Sequence, residues 1–518
     1  MTLKTFIAPS YHKQRSPQQH VIILSGLVGL IVAAGAAYGY LISIMPLSSF
    51  LMLAIPIIIL IMLIFWALPE IGKAPEKAIE TLFFGYMVGL FLWPNYFAIA
   101  IPGLPWISMS RLWGGPLVFL LLLSCSISAP FRRAILEPFQ SNRWMLRAML
   151  GFVCTQCISL FFSKHFGDSA NRLVNYQIAW TAMFFASAFV LSKPGRLLRL
   201  AALLCAMAAV QTLVAFFEYR AGGVLWAQHA PPFVALNDPT VRAILAGGAR
   251  AATGTYRVQS IYTTSLNFAE FLGITTPLFL HFMMTARGAL WRILSGLYLP
   301  YAFWVILTTD SRIGLVGFFL SCLLYFLLWA LKRKNDRPRD LIAPLLLIAY
   351  PLMFTGFVGL SLFWMRLNHM IFGGGAQAAS NESRQIQIQT GIPKVLHWPI
   401  GYGPGMAATT LGFADNEDGK LTIDNYWLSI ALEYGILGFI CFMTLMLFGI
   451  GQSFRYGLKA QSPESKLLLP FGALVFVFLT GKSVLSQEDS HALIFVVLGG
   501  IAALSHREAK QRTQKWAQ

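Results

Sequence analysis

The chain has 518 residues, of which 57% are hydrophobic and 12% charged, with a formal net charge of +18 and a mean hydropathy of +0.64. Soluble domains of this size carry far more charge, so the composition excludes a soluble enzyme and indicates a polytopic membrane protein. The basic residues are spread over many short connections, which argues against nucleic acid as a partner.

Apolar runs of roughly 18–22 residues, the length that crosses the hydrocarbon core of a bilayer, recur along nearly the whole chain. We therefore predict an all-α polytopic fold of about 14 transmembrane helices, within a range of about 12–14. The first run begins at Val21 and lacks a small-residue cleavage site, so we expect a spanning helix and not a cleavable signal. The predicted spans are 21–41, 49–68, 81–101, 114–130, 146–163, 175–192, 198–219, 264–285, 290–309, 313–331, 341–361, 426–451, 467–484 and 491–505.

The positions of lysine and arginine set the predicted orientation of these spans. Most of the 39 Lys and Arg residues lie on the cytoplasmic side if both termini are cytoplasmic. Two connections on the opposite side are long, and long connections are where function concentrates when the others are short. The predicted organisation is 1–219, N-terminal transmembrane helices; 220–262, an outer loop; 263–361, transmembrane helices; 362–425, a large outer loop; and 426–518, C-terminal transmembrane helices with a cytoplasmic tail.

The six cysteines all fall inside apolar runs, which favours small buried side chains over disulfides. Cys154 and Cys157 have the spacing of a redox or zinc pair, but the sequence has no second pair to complete a metal site. We therefore predict packing roles for the cysteines and no metal site.

Three arginines lie close to predicted membrane boundaries or inside the large outer loop, namely Arg257, Arg312 and Arg384. A guanidinium group binds phosphate through two parallel hydrogen bonds and keeps its charge when it is partly buried. Taken together, the three arginines favour a site for a diphosphate, whose charge they would stabilise as it leaves. For each arginine alone, the alternative is a side chain that reaches toward lipid headgroups or pairs with a nearby acid. These acids are Asp310, Asp415, Glu417 and Asp418.

The stretch "PIGYGPGM", residues 399–406, is too rich in proline and glycine to lie inside a helix. It predicts a tight loop whose backbone comes close to another group, with Gly403 and Gly405 as candidate substrate contacts. It is not a nucleotide-binding phosphate loop, because the Lys-Ser/Thr ending is missing.

Asp424 follows the large loop at the start of a long apolar helix. Aspartate is a good N-cap, because its carboxylate accepts a free backbone N–H of the first turn. The same carboxylate is our candidate general base, which takes a proton from a hydroxyl, and Asn425 and Tyr426 are candidate hydrogen-bonding contacts to a sugar. Glu433 lies out of phase with Asp424 on this helix and is predicted to be structural. Other candidate bases are the histidines of the two long loops, His229, His369 and His397.

Four segments carry a recognisable pattern: "GTYRVQSIYTTSLNFAEFLG" (254–273), "LTTDSRIGLVGFFLS" (307–321), "NESRQIQIQTGIPKVLHWPIGYGPG" (381–405) and "DNYWLSIALEYGILGFICF" (424–442). In this order they resemble the O-antigen ligase and polysaccharide polymerase family of bacterial envelopes. The resemblance covers residues 254–442, whereas the N-terminal half resembles the family only as generic spanning helices.

The resemblance implies a glycosyltransferase with a GT-C-like fold that needs no metal and no cofactor. It implies a site at the periplasmic face of the bacterial inner membrane and a donor glycan carried on undecaprenyl diphosphate, with a chain-length regulator and a flippase of the same pathway as partners. By position, Arg257 and Arg384 match family arginines that contact the diphosphate, and Arg312 matches the arginine of the family's Ser-Arg turn. Ligases of the family usually have histidine where this chain has Asp424, so the resemblance favours the polymerase branch.

Other functions stay open at this point. A flippase or exporter of lipid-linked glycans also has many spans and cationic residues, although a transporter is expected to show repeated halves, which the sequence lacks. A lipid-binding assembly factor without chemistry would carry the same charges. Within the family, a ligase that transfers the glycan to the lipid A core is the alternative to a polymerase.

Overall fold

A computed structural model describes residues 67–94, 96–99, 107–227, 239–246, 256–368, 378–414 and 421–517, together with a few residues between 25 and 64. The predicted spans 21–41 and 49–68 lie mostly outside the described residues. Two of the candidate histidines, His229 and His369, also lie outside the described residues. The same is true of three of the acids considered as partners for the arginines, namely Asp415, Glu417 and Asp418.

Contacts divide the chain into a smaller unit, Met1–Pro75 with Phe119–Arg133, and a larger unit, Glu76–Val118 with Ala134–Gln518. In the smaller unit, the Glu70 carboxylate accepts a hydrogen bond from the Ala129 backbone N–H at 2.8 Å. The same carboxylate forms an ion pair with Arg132 at 3.5 Å. Glu70 therefore ties the chain before α1 to the segment around Ala129.

Helices make up most of the described chain, as long apolar runs require when every backbone polar group must be satisfied within the membrane. In chain order they are α1 (Glu76–Leu92), α2 (Met109–Ile127), α3 (Ala129–Leu136), α4 (Arg143–Leu160), α5 (Phe166–Tyr176), α6 (Met183–Val190), α7 (Arg196–Ala221), α8 (Pro239–Ala246), α9 (Ser265–Thr285), α10 (Ala289–Thr308), α11 (Arg312–Asp336), α12 (Ile342–Phe363), α13 (Met365–Asn368), α14 (Ala378–His397), α15 (Ala407–Leu411), α16 (Tyr426–Gly457), α17 (Leu468–Gly481) and α18 (His491–Ala517). A short antiparallel pair, β1 (Ala98–Ile99) and β2 (Ile107–Ser108), follows α1.

Within the described ranges, nine helices are long and apolar enough to cross a membrane. They are α2, the continuous helix formed by α5, a π-helical turn and α6, and α7, α9, α10, α11, α12, α16 and α18. The shorter apolar helix α17 lies between α16 and α18. The prediction of an all-α polytopic membrane protein is confirmed, whereas the division into the five predicted segments stays a prediction.

Two predictions about apolar runs need correction. The predicted span 81–101 is wrong at its end, because α1 stops at Leu92 and the chain reaches Pro94, which cannot continue a helix, before β1 begins. The six cysteines are free, as predicted, but the prediction that they are buried is wrong: Cys154 and Cys157 lie exposed on α4, and the other four are half-buried.

The predicted large loop, 362–425, contains a 20-residue helix, α14. One side of α14 packs on α16, where Gly391 allows the Leu428 side chain to lie directly against the α14 backbone. Val395 joins Leu411 and Leu432 in a small buried cluster beneath the helix. This packing fixes α14, and with it Arg384, relative to α16.

The first turn of α16 is capped by Asn425, whose side-chain oxygen accepts the Leu428 N–H at 3.2 Å. The prediction that Asp424 caps this helix is therefore wrong. Asp424 lies one residue too early for its carboxylate to act as the cap, and its backbone N–H instead donates to the Gln387 side-chain oxygen of α14 at 2.9 Å.

The loop 399–406 packs into a break in α16 at Gly435, whose φ of +70° is strained for any residue with a side chain. The Ile436 N–H donates to the Pro399 carbonyl at 3.0 Å, and the Tyr402 N–H donates to the Leu432 carbonyl at 2.8 Å. A Cβ atom at Gly435 would overlap the Pro399 carbonyl oxygen. The break therefore frees backbone groups of α16 to hold this loop.

We expect Gly435→Ala to lower the free energy of unfolding by more than about 2 kcal/mol, because backbone strain alone costs roughly 1–3 kcal/mol. The matched control is Gly451→Ala in the same helix, where a Cβ would meet nothing within 4 Å. Thermal unfolding in detergent measures both variants. Equal midpoints for the two would show that the break at Gly435 does not hold the loop.

Candidate functional site

A cavity of about 490 Å³ lies among α9, α11, α14 and α17 and the segments that join them. Three arginines line it: Arg257 before α9, Arg312 as the first residue of α11, and Arg384 in α14. Three segments that are far apart in sequence thus bring to one cavity the arginines that the sequence predicts to act together. Their chemical roles stay a prediction.

Arg257 is fixed by the turn that ends α10. Its Nε donates to the Thr309 carbonyl at 3.0 Å, and a terminal nitrogen donates to the Asp310 carbonyl at 3.3 Å. The segment around Arg257 is in turn held by Glu218, a buried residue near the end of α7. The Glu218 carboxylate accepts hydrogen bonds from the Tyr256 hydroxyl at 2.6 Å, the Gln259 N–H at 2.9 Å and the Ser260 N–H at 2.7 Å.

Arg312 and Arg384 share one acceptor. The Asn381 side-chain oxygen receives a bond from Arg312 at 3.1 Å and one from Arg384 at 3.5 Å. The Nε of Arg384 is buried and has no hydrogen-bond partner among the described residues. An unsatisfied buried donor on a cation indicates a place for an anionic or strongly polar ligand.

Other parts of the cavity wall are apolar. They come from α9, α11 and α17 and the residues that follow α17: Ile274, Ile313, Val316, Leu320, Val477, Val484 and Leu485. The side chains of Val316 and Val484 are largely exposed. A cavity with cations and an apolar wall fits an amphiphile with an anionic headgroup and a hydrocarbon tail.

Two carboxylates also line the cavity, Asp310 and Glu270. Glu270 is almost fully buried in α9 and forms an ion pair with Lys482 at 2.7 Å. Lys482 is fully buried, donates a second bond to the Gln487 carbonyl at 2.5 Å, and lies over the Phe478 ring at 4.9 Å. A buried charge pair of this kind is costly to form, so its position against the cavity wall indicates a role in positioning the site.

The segment 482–490, between α17 and α18, builds a further part of this wall. Ser483, Val484 and Leu485 line the cavity. Asp489 accepts bonds from Asn267 and Thr263 at the start of α9, and Glu488 accepts the Tyr176 hydroxyl at 3.0 Å. Sequence reasoning missed this segment, although an isolated lysine inside the apolar run 467–484 is a signal for a functional or positioning role.

The remaining predicted site residues do not line the cavity. Asp424, Asn425 and Tyr426 lie at the start of α16, and Tyr426 is buried against His491, with ring centroids 4.4 Å apart. His397 lies exposed at the end of α14. Asp424 is still connected to the site, because its backbone N–H is bonded to Gln387, which lies one helical turn after Arg384.

Gly403 and Gly405 have a packing reason that the sequence did not suggest. A Cβ at Gly405 would overlap the side chain of Arg172, and one at Gly403 would lie 2.6 Å from the Ser163 Cβ. Both residues also have a positive φ, +104° at Gly403 and +74° at Gly405, which favours glycine, so both positions have a structural reason inside the protein. Substrate contact by these two residues stays a prediction.

Residues 297–443 match the family model described as O-antigen ligase. This segment is therefore similar to the O-antigen ligase family, and we refer to residues 297–443 as the O-antigen ligase family domain. The family resemblance predicted from the sequence is confirmed there, and family members are glycosyltransferase-like enzymes. The O-antigen ligase family domain contributes Arg312, Asn381 and Arg384 to the cavity, whereas Arg257 and Lys482 lie outside its bounds. No curated protein matches the chain.

We expect Glu270→Gln and Lys482→Met each to lower the free energy of unfolding by about 3–5 kcal/mol, because either change leaves a buried charge unpaired. The double variant Glu270→Gln/Lys482→Met should lose less than the sum of the two. The matched control is the exposed ion pair of Lys193 with Glu76, whose charged atoms lie 2.9 Å apart. Removing either charge of this pair should lower the free energy of unfolding by about 1 kcal/mol or less. Additive losses in thermal unfolding would contradict a direct charge pair.

Burial, reinforced by the nearby carboxylate of Glu433, raises the pKa of Glu488 from 4.5 to about 7. An acid whose pKa is raised on folding stabilises the fold fully below its unfolded pKa, and this contribution is lost as pH rises through the folded pKa. The thermal midpoint should therefore fall as pH rises from about 4.5 to about 7. Glu488→Gln should make this fall of the thermal midpoint with pH shallower. Glu382→Gln, which changes an exposed glutamate, is the control and should leave the fall unchanged. If the midpoint falls equally steeply in both variants, Glu488 is not the source of the pH dependence.

Proposed function

We propose that this protein is a polysaccharide polymerase, which joins repeat units of an exopolysaccharide or O-antigen carried on undecaprenyl diphosphate at the periplasmic face of the bacterial inner membrane. The observation that carries the proposal is the convergence of Arg257, Arg312 and Arg384 on one cavity with an apolar wall. The O-antigen ligase family domain supports glycan transfer as the class of reaction.

A polyprenyl diphosphate matches both parts of the cavity. Its phosphates would accept hydrogen bonds from Arg312, Arg384 and Arg257, each charge-assisted bond contributing about 1.5–3 kcal/mol. The buried Arg384 Nε would gain an acceptor. The isoprenoid chain would lie against the apolar residues of α9, α11 and α17, where burial is worth about 25 cal/mol for each Å² removed from water.

The reaction is a glycosyl transfer between two lipid-linked glycans. A hydroxyl of the non-reducing sugar on one repeat unit attacks the anomeric carbon of the glycan on the other lipid. The bond between that carbon and the diphosphate oxygen breaks, and the diphosphate leaves with the bonding electrons. The guanidinium groups stabilise the charge that builds on it, which is the term that usually contributes most to catalysis. Because three fixed cations can serve this purpose, we propose that the reaction is independent of metal ions.

A ligase is the second candidate, because the family model is described by that activity. It would use the same donor and cavity but transfer the finished glycan to the lipid A core. Asp424 in place of the histidine usual in ligases favours the polymerase. The acceptor separates the two: elongation of a lipid-linked glycan supports the polymerase, and transfer to lipid A core without elongation supports the ligase.

We expect Arg384→Ala to slow polymer formation by about 100-fold or more, as removal of one donor from a charge-stabilising site typically does. The measurement is the length distribution of envelope glycan in cells whose only copy of the protein is the variant, with its membrane level followed in parallel. Arg384→Lys should recover part of the activity, because lysine keeps the charge but loses the bidentate geometry.

The control is Arg287→Ala, which removes an exposed arginine that does not line the cavity. It should leave the glycan length distribution unchanged. Normal glycan length in Arg384→Ala at a normal membrane level would contradict the proposal that this cavity binds the leaving diphosphate.

A further inference from the structure

The turn between α10 and α11 contains a residue in an unusual conformation. Asp310 has a φ of +47°, and Ser260 is the other non-glycine residue with positive φ within the described ranges. Aspartate and asparagine enter the left-handed region more readily than other residues with a side chain, and residues in this conformation are frequent at functional sites.

The strained turn is held from outside. Arg257 donates to the carbonyls of Thr309 and Asp310, and the Val258 N–H donates to the Thr308 carbonyl at 3.4 Å. Thr309 and Ser311 are fully buried at 0% exposure, whereas Asp310 between them is half-buried and lines the cavity. Thr309 and Ser311 therefore fix the turn on both sides of Asp310, the residue of 309–311 that lines the cavity. Arg312 is the first residue after this turn.

Asp310 is better placed than the other carboxylates near the site. Glu270 lines the same cavity, but it is only 2% exposed, so its carboxylate is far less accessible from the cavity than that of half-buried Asp310. Asp424 lies outside the cavity lining, with its backbone bonded to Gln387. A general base must come within hydrogen-bond reach of the proton that it removes, so a half-buried carboxylate on the cavity wall satisfies the first requirement.

We propose that Asp310, in place of the sequence-predicted Asp424, is the catalytic residue that accepts the proton of the attacking sugar hydroxyl. The assignment rests on the proposed glycosyl transfer. The hydroxyl oxygen forms the new bond to the anomeric carbon, its proton passes to the Asp310 carboxylate, and the diphosphate departs with the electrons of the broken carbon–oxygen bond. Arg257 is then a positioning residue as well as a cation, because it bonds the carbonyl of the residue that acts as base.

The substitutions that test this assignment keep the turn. Asparagine is tolerated in the left-handed region, so Asp310→Asn retains the backbone while it removes the charge. Asp310→Gly relieves the strain and should raise the thermal midpoint while it removes the carboxylate. Lipid-linked repeat units purified from cells that lack this protein serve as substrate for the purified full chain, and polymer is followed on a gel.

We expect Asp310→Asn and Asp310→Gly to lose about 100-fold or more of the elongation rate, since general base catalysis typically contributes 10²–10⁴-fold. Both variants should bind undecaprenyl diphosphate like the wild type. Asp168→Asn, which changes an exposed aspartate of α5, should elongate normally.

Two results would overturn the assignment in distinguishable ways. If Asp310→Asn elongates within about threefold of the wild type while Asp424→Asn or Glu270→Gln is inactive, another carboxylate is the base and the proposed function stands. If Asp310→Asn and Arg384→Ala both elongate at the wild-type rate, the cavity is not the site of transfer, and the proposed function fails with the assignment.

Discussion

Three positive side chains in one cavity repel one another, and the protein has to hold them together at an energetic cost. The structure orients them with oxygen atoms that bear no net charge: two backbone carbonyls for Arg257, and the Asn381 amide oxygen for Arg312 and Arg384. These bonds fix the positions of the guanidinium groups. A bound diphosphate would relieve the repulsion, so the arrangement favours an anionic ligand, and an apolar wall beside it favours a lipid-linked one.

The surroundings keep this arrangement rigid, which is what electrostatic stabilisation of a leaving group requires. The buried pair of Glu270 and Lys482 joins α9 to the end of α17 beside the cavity. Farther along α16, the break at Gly435 receives the loop that follows α14, and α14 carries Arg384. Contacts at some distance from the arginines therefore help to determine where the cations lie, so loss of activity in a variant has to be separated from loss of structure.

The sequence predicted the membrane fold because a bilayer imposes a fixed length on apolar runs, and it predicted the arginine set because cations near the predicted outer membrane boundary are unusual. The predicted end of α1 was wrong, because Pro94 prevents the helix from continuing although the apolar run goes on. The predicted N-cap of α16 was also wrong, because Asn425 and not Asp424 provides it. Sequence reasoning also missed Lys482 as a partner of Glu270, because the pair joins residues more than 200 positions apart and periodicity reports only local structure. The strain at Asp310 is a backbone property that residue types do not reveal.

The most direct test of the central claim is an experimental structure of the protein with undecaprenyl diphosphate bound. We expect phosphate density within hydrogen-bond distance of Arg384 and Arg312, with the isoprenoid chain along the apolar residues of α9 and α11. Diphosphate density at another surface, with these arginines turned away from it, would contradict the claim that the cavity is built for the lipid carrier.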